Sequence, residues 1–262
     1  MKIAVLVSVG RHPVSGAARY SRNDAAALTM ALDLARAQNA TVDVLHAGDP
    51  SNPALNDYLA LGARSVEVLD LSATPGARND TQNDAAGPLA ARLAGYDLIL
   101  TGTRAEGAFD TGMLPYRVAA ALGMPLVGAA VDLSVHDARA QVRQFMPKGL
   151  RRRVEVNLPA LIAVHPLANV APKYAYARLR EGTVRAVATA SAGSPDDHAW
   201  SLRPATAKPV RLAAAEKRSG HARMLSATTT ESRGGSVVIE GSSVEKAQVI
   251  LAYLREHQLV DY

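Results

Sequence analysis

Apolar and polar positions follow two rhythms along the first half of the chain. Ile3 to Val7 is an unbroken apolar run rich in β-branched residues that stops at Ser8, Gly10 and Pro13, the pattern of a strand buried on both faces that feeds a loop. After a basic loop from Ser8 to Arg22, Asn23-Asp24 predicts a helix start, because a short polar side chain there can accept from the amides of the first turn. Ala27, Leu28, Met30, Ala31, Leu34 and Ala35 then recur with helical spacing as far as Gln38, and Asn39 offers a stop. The same rhythms predict strands over Thr41 to Ala47, Ser65 to Leu69, Tyr96 to Gly102 and Pro125 to Val131. Between them lie expected helices over Pro53 to Leu61, Asp84 to Ala94 and Thr111 to Leu122, two of them closed by Gly62 and Gly123.

Strands alternating with helices imply right-handed crossovers and the α/β class: an open, doubly wound, mostly parallel, Rossmann-like sheet. Ligands of such sheets sit beyond the carboxyl ends of the strands, here Ser8 to Arg22, Ala47 to Pro50 and Gly102 to Gly112. Farther on, Gln141 to Phe145 and Arg152 to Asn157 alternate around Pro147-Lys148-Gly149 as a hairpin, and Ala160 to Val164 is a buried strand, which places antiparallel material at one sheet edge. From Gly182 to Arg233 no periodicity is sustained. The expected division is therefore a nucleotide-binding-type α/β domain over residues 1–182 and an extended C-terminal arm over 183–262. The arm closes with Ser242-Ser243-Val244-Glu245, a capping-box pattern opening a helix through Leu254. A long, poorly self-burying arm that ends in an amphipathic helix points to docking on another chain.

Composition removes several classes. With one Trp and two Phe among 262 residues, aromatic platforms for stacking bases are scarce, and the net charge of +5 is spread out except at Arg151-Arg152-Arg153, so no nucleic acid is expected as a partner. The absence of cysteine excludes disulfides, thiolate metal sites and cysteine nucleophiles. The seven histidines show no i, i+4 pair, and no metal is predicted. Neither a Gly-x-Ser-x-Gly elbow nor a Walker loop occurs. The opening apolar run is too short for a signal peptide or a membrane span, so a cytoplasmic bacterial protein without membrane insertion is expected.

Three segments resemble the electron transfer flavoprotein β-subunit family. Leu98-Ile99-Leu100-Thr101-Gly102, then Asp110-Thr111-Gly112-Met113 and a helix, is similar to the family's strand, loop and Thr-Gly helix start, which holds the phosphate of an AMP. Leu158-Pro159-Ala160-Leu161-Ile162-Ala163-Val164, then Asn169, Pro172, Lys173-Tyr174-Ala175 and Leu179, is similar to the LPAV strand and the recognition loop that docks on partner dehydrogenases. Val238-Ile239-Glu240-Gly241 is similar to the arm that clasps the α subunit. The departures are a slightly shorter loop after Gly102, Ser8 where the family usually has lysine, and Asn23-Asp24-Ala25 for its Asn-Pro-Phe.

The resemblance implies an adenine nucleotide alpha hydrolase-like variant of the fold and a redox carrier without substrate turnover of its own. FAD would be shared with, and mainly bound by, the α subunit of a heterodimer. Electrons would run from a primary flavin-dependent dehydrogenase to a quinone oxidoreductase type acceptor of the respiratory chain. By the same resemblance Leu6, Asn23, Asp24, Ala47, Gly102, Asp110, Thr111, Gly112 and Met113 form the nucleotide side, with Tyr174 and Leu179 for docking. Read from residues alone, Asn23 is equally a helix cap, and the crevice is open to AMP, a second FAD or neither. A free-standing adenine-nucleotide-binding sensor shares the sheet and crevice, but has little use for the long arm.

Overall fold

The computed structural model describes residues 1–71, 85–106, 112–188, 219–221, 224, 240–257 and 259–260. By compactness the chain divides into units Met1–Trp200 and Ser201–Tyr262. In the first unit the elements run β1 (Lys2–Leu6), β2 (Val9–Arg11), β3 (Ala18–Tyr20), α1 (Arg22–Gln38), β4 (Thr41–Gly48), α2 (Leu55–Ala60), β5 (Ser65–Asp70), α3 (Ala86–Leu93), β6 (Leu98–Gly102) and α4 (Leu114–Leu122). They continue with β7 (Leu126–His136), β8 (Arg139–Phe145), β9 (Arg151–Asn157), β10 (Ala160–Val164) and β11 (Thr183–Ala188). The second unit carries α5 (Ser243–Glu256), whose start has the expected capping box between Ser242 and Glu245. Val238 and Ile239 of the proposed clasp lie outside the described residues, as do Asp110 and Thr111.

One nine-stranded sheet has the order β11-β5-β4-β1-β6-β10-β7-β8-β9. Its strands are parallel from β11 to β7, and β8 and β9 add the antiparallel edge. Alternation along β1 sends Ile3 and Val5 into the core under α1 and α2, and Ala4 and Leu6 into the core under α3 and α4. Each face is thus covered by helices, which is why the strand sequences read as continuous apolar runs. The N-terminal end of the sheet is held by side chains: Tyr96 donates to Asp43 at 2.8 Å, and Arg92 donates to Glu67 at 2.9 Å.

Four differences from the sequence expectation bear on the site. The basic loop from Ser8 to Arg22 contains an antiparallel hairpin, β2 with β3. The cap of α1 is Ser21, whose hydroxyl accepts from Asp24 N–H, so Asn23 and Asp24 lie within the first turn. The last parallel strand, β11, lies past residue 182 and pairs with β5, so the main sheet takes in six residues of the expected arm. The strand expected at Pro125 to Val131 runs on to His136. Asn39 and Gly123 do close α1 and α4 in the left-handed conformation, at φ 50° and 63°.

Candidate functional site

The strand order reverses at β1: α1 leads from it to β4 on one side, and the chain later returns to β6 on the other. A doubly wound sheet opens its ligand crevice at such a point, beyond the carboxyl ends of the two strands. Ser8 follows the end of β1 there, Gly102 ends β6, and Asp24 in the first turn of α1 reaches both.

Asp24 joins them. Its Oδ2 accepts from Ser8 N–H at 2.8 Å and from the Ser8 hydroxyl at 2.6 Å, and its Oδ1 accepts from Gly102 N–H at 2.9 Å. The contact with β6 is so close that a Cβ on Gly102 would lie 2.4 Å from Asp24 Oδ1 and 2.6 Å from Asn23 Cβ, so only glycine fits. The network widens from Ser8. Its hydroxyl accepts from Glu106 N–H at 2.9 Å, and its carbonyl accepts from the Tyr58 hydroxyl at 2.6 Å. Tyr58 in turn accepts from Ser21 N–H at 3.0 Å. Glu106 pairs with Arg19 of β3 at 3.0 Å, and its side chain lies against Gly10, fixing the hairpin to the loop that follows β6.

Burial governs the electrostatics here. Asp24 is 1% exposed, and removal from water pushes its carboxyl up to about 7, although the bonds from Ser8, Gly102 and Ser21 pull the other way. Burial, reinforced by the Asp24 charge, holds the Tyr58 phenol well above its ordinary value. The guanidinium of Arg19 keeps its Nε buried without a hydrogen-bond partner.

The residues expected at the nucleotide separate into layers. Leu6 packs into the core under α3 and α4, where it is 3% exposed. Ala47 is half-buried at the end of β4 against that same core. Asn23 is buried in the first turn of α1. Gly112 takes φ +71°, with Thr103 O only 3.3 Å from where a Cβ would stand, and Met113 is exposed at the start of α4. A helix N-terminus at a strand end favours an anionic group through its dipole and first-turn amides. Ser8, Tyr58, Glu106 and Arg19 were not foreseen as a network.

The residues expected to dock lie elsewhere. The hydroxyl of Tyr174 donates to Asp57 of α2 at 2.7 Å, a bond that pushes its phenol up to about 12. Ala175 N–H reaches Ala60 O at 2.9 Å, and Leu179 is half-buried against the core under α1 and α2. These contacts pin the segment to α2. Between them Tyr176, edge-on to Tyr174 at 5.1 Å, is 77% exposed, the outward side chain that sequence reading passed over.

Comparison with known proteins agrees with this architecture. Residues 15–193 match the family model described as electron transfer flavoprotein domain. A protein of Chromohalobacter salexigens named electron transfer flavoprotein subunit beta is 33% identical over 270 aligned positions, covering 99% of this chain and 96% of that one.

Proposed function

The chain belongs to the electron transfer flavoprotein family, on its β-subunit side, and from that premise we propose that it forms a heterodimer with an α subunit that binds most of the FAD. In this reading electrons enter from a primary flavin-dependent dehydrogenase and leave to a quinone oxidoreductase type acceptor. The likeness to a β subunit along nearly its whole length carries the reading, because a shared sheet alone would not separate a carrier subunit from a sensor.

FAD supplies the one-electron chemistry; the protein supplies binding, orientation and exclusion of water. The geometry fits a modest contribution from this chain. Its crevice is walled in this reading by glycine backbone at Gly102 and Gly112 and by the start of α4. Asn23, Ala47, Gly102, Gly112 and Met113 line the nucleotide side in this proposal, with Asp110 and Thr111 in the same loop. Leu6 and Asp24 act from beneath. AMP is the ligand whose phosphate suits the start of α4. Tyr174 and Leu179 hold the docking segment in place for the dehydrogenase, and the arm from residue 183 onward engages the α subunit.

No residue need act as acid or base. No helix among the described residues is long and apolar enough to cross a membrane. Coexpression with the α subunit and purification through a tag on this chain tests the proposal. A yellow one-to-one complex containing FAD is expected; a colourless chain that leaves the α subunit behind would overturn it.

A further inference from the structure

The outer face of the antiparallel edge carries a charge pattern that the chain itself does not balance. Along β8, Ala140, Val142 and Gln144 are buried while Arg139, Gln141 and Arg143 are exposed. The pairing with β9 sets Asn157, Glu155, Arg153 and Arg151 on that same exposed face. Ala140 and Val142 belong to the core under α1 and α2, so the exposed face looks the other way, beyond α4, which packs on β7 and β10. Arg143 stands directly opposite Arg153 across the ladder, where like charges repel. Arg139 pairs with Glu155 at 3.1 Å, and Asp132 of β7 comes within 3.8 Å of Arg143. Among the described residues neither Arg151 nor Arg153 has a carboxylate partner. The cations of this face are all arginine, whose planar guanidinium can hold a carboxylate by two parallel bonds and which protein interfaces favour over lysine.

The face is also held still. On its reverse, Arg152 Nε donates to Gln144 Oε1 at 2.8 Å and Gln144 Nε2 donates to Gly128 O at 2.7 Å, which ties β9 to β8 and β8 to β7. At the hairpin end Phe145 stacks on His165 with ring centroids 4.2 Å apart, and the Arg151 guanidinium lies 4.8 Å from the centre of the Phe145 ring. Leu150 beside them is 66% exposed. Arginines around an aromatic ring, on strands already fixed, lose little freedom on binding and have the composition of an interface centre. Protecting an edge strand from aggregation calls for charge, but for neither an opposed pair of like charges nor an arginine laid on an aromatic ring.

We propose that the outer face of β8 and β9, centred on Arg143, Arg151 and Arg153, is a second seat for the α subunit, which meets it with an acidic surface. The proposal rests on the heterodimer reading given above, and adds to the arm a contact made by the sheet itself. Location selects the partner. The segment proposed to meet the dehydrogenase is pinned to α2 through Tyr174 and Asp57 and leads into β11, one edge strand of the sheet, whereas β9 is the other edge strand. A dehydrogenase at the first edge leaves the second to the subunit that stays bound.

The test uses the FAD-loaded complex of both subunits, with its dissociation on dilution followed from about 0.05 to about 0.5 M salt, a range over which exposed charges become strongly screened. Arg143→Glu should weaken the complex about tenfold at low salt and flatten its salt dependence, although within this chain it replaces a repelling pair across β8 and β9 by an attracting one. A purely structural role predicts the opposite, a complex as tight as wild type or tighter. Arg153→Lys keeps the charge and adds an amine. Treated with a carbodiimide in the complex, that amine should form an amide with a carboxylate of the α subunit, the water being taken up by the carbodiimide, and mass spectrometry reads the crosslink. An affinity unmoved by Arg143→Glu would overturn the proposal, as would a position 153 that fails to crosslink to the α subunit or couples to an added dehydrogenase instead. A wild-type chain that forms no complex with the α subunit overturns the heterodimer reading itself.

Discussion

At the ends of β1 and β6, Ser8, Asp24, Tyr58 and Gly102 satisfy one another out of reach of water, whereas between Tyr174 and Arg180 the side chains divide into anchors on α2 and rings left in solvent. The first region gives polar groups to the fold in order to fix the shape of a crevice. The second uses a few contacts to hold an otherwise exposed segment still. Substitutions in the crevice should therefore be felt first as stability, and substitutions at the tip of the segment first as association.

The sharpest test of that division is pH. The Asp24 carboxyl is raised from 3.8 to about 7 in the folded chain. The folded state then holds this proton more tightly than the unfolded state, so the contribution to stability is full below pH 3.8 and is lost as pH rises through about 7. The loss is up to about 4 kcal/mol, and urea unfolding across this range should show a downward slope that Asp24→Asn lacks. A smaller effect is expected from Gly102→Val, whose side chain must displace Asp24 and the first turn of α1, at about 3 kcal/mol in the same assay. Tyr58→Phe leaves Ser8 O and Ser21 N–H unpaired in the core and should cost about 2 kcal/mol. In the segment proposed to dock, Tyr176→Ala should change stability by less than about 0.5 kcal/mol while slowing electron uptake from the dehydrogenase, read by stopped-flow bleaching of the flavin. A crevice variant that spared stability, or a Tyr176 variant that unfolded the chain, would break the comparison.

The sheet was legible because its strands are buried on both faces, and a run such as Leu98 to Gly102 has no other reading between helices of opposite rhythm. The hairpin of β2 and β3 was not, since three-residue strands broken by Pro13 and Gly16 are too short to show a period. Strand β11 was hidden by its neighbours: Thr183 to Ala188 pairs with β5, more than a hundred residues earlier, and carries little apolar bulk of its own. The α1 cap went to Asn23 because Ser21, Asn23 and Asp24 are all suitable cap residues, and only the backbone turn distinguishes them. The expectation that Asn23, Ala47, Gly102 and Gly112 line the crevice came from family resemblance. The network beneath them had no local signal, because Asp24 meets Gly102 at a separation of 78 residues and Tyr58 meets Ser8 at 50. A tyrosine inside an apolar helix was the one hint, since a buried phenol needs a partner.

The central claim is that this chain completes a flavin carrier. The most direct measurement is to mix the purified complex with a reduced flavin-dependent dehydrogenase and follow the visible spectrum of the bound FAD. The account predicts that the flavin takes electrons one at a time, and only when both subunits are present. A chain that stays monomeric and colourless beside the α subunit, yet binds ATP, would contradict it.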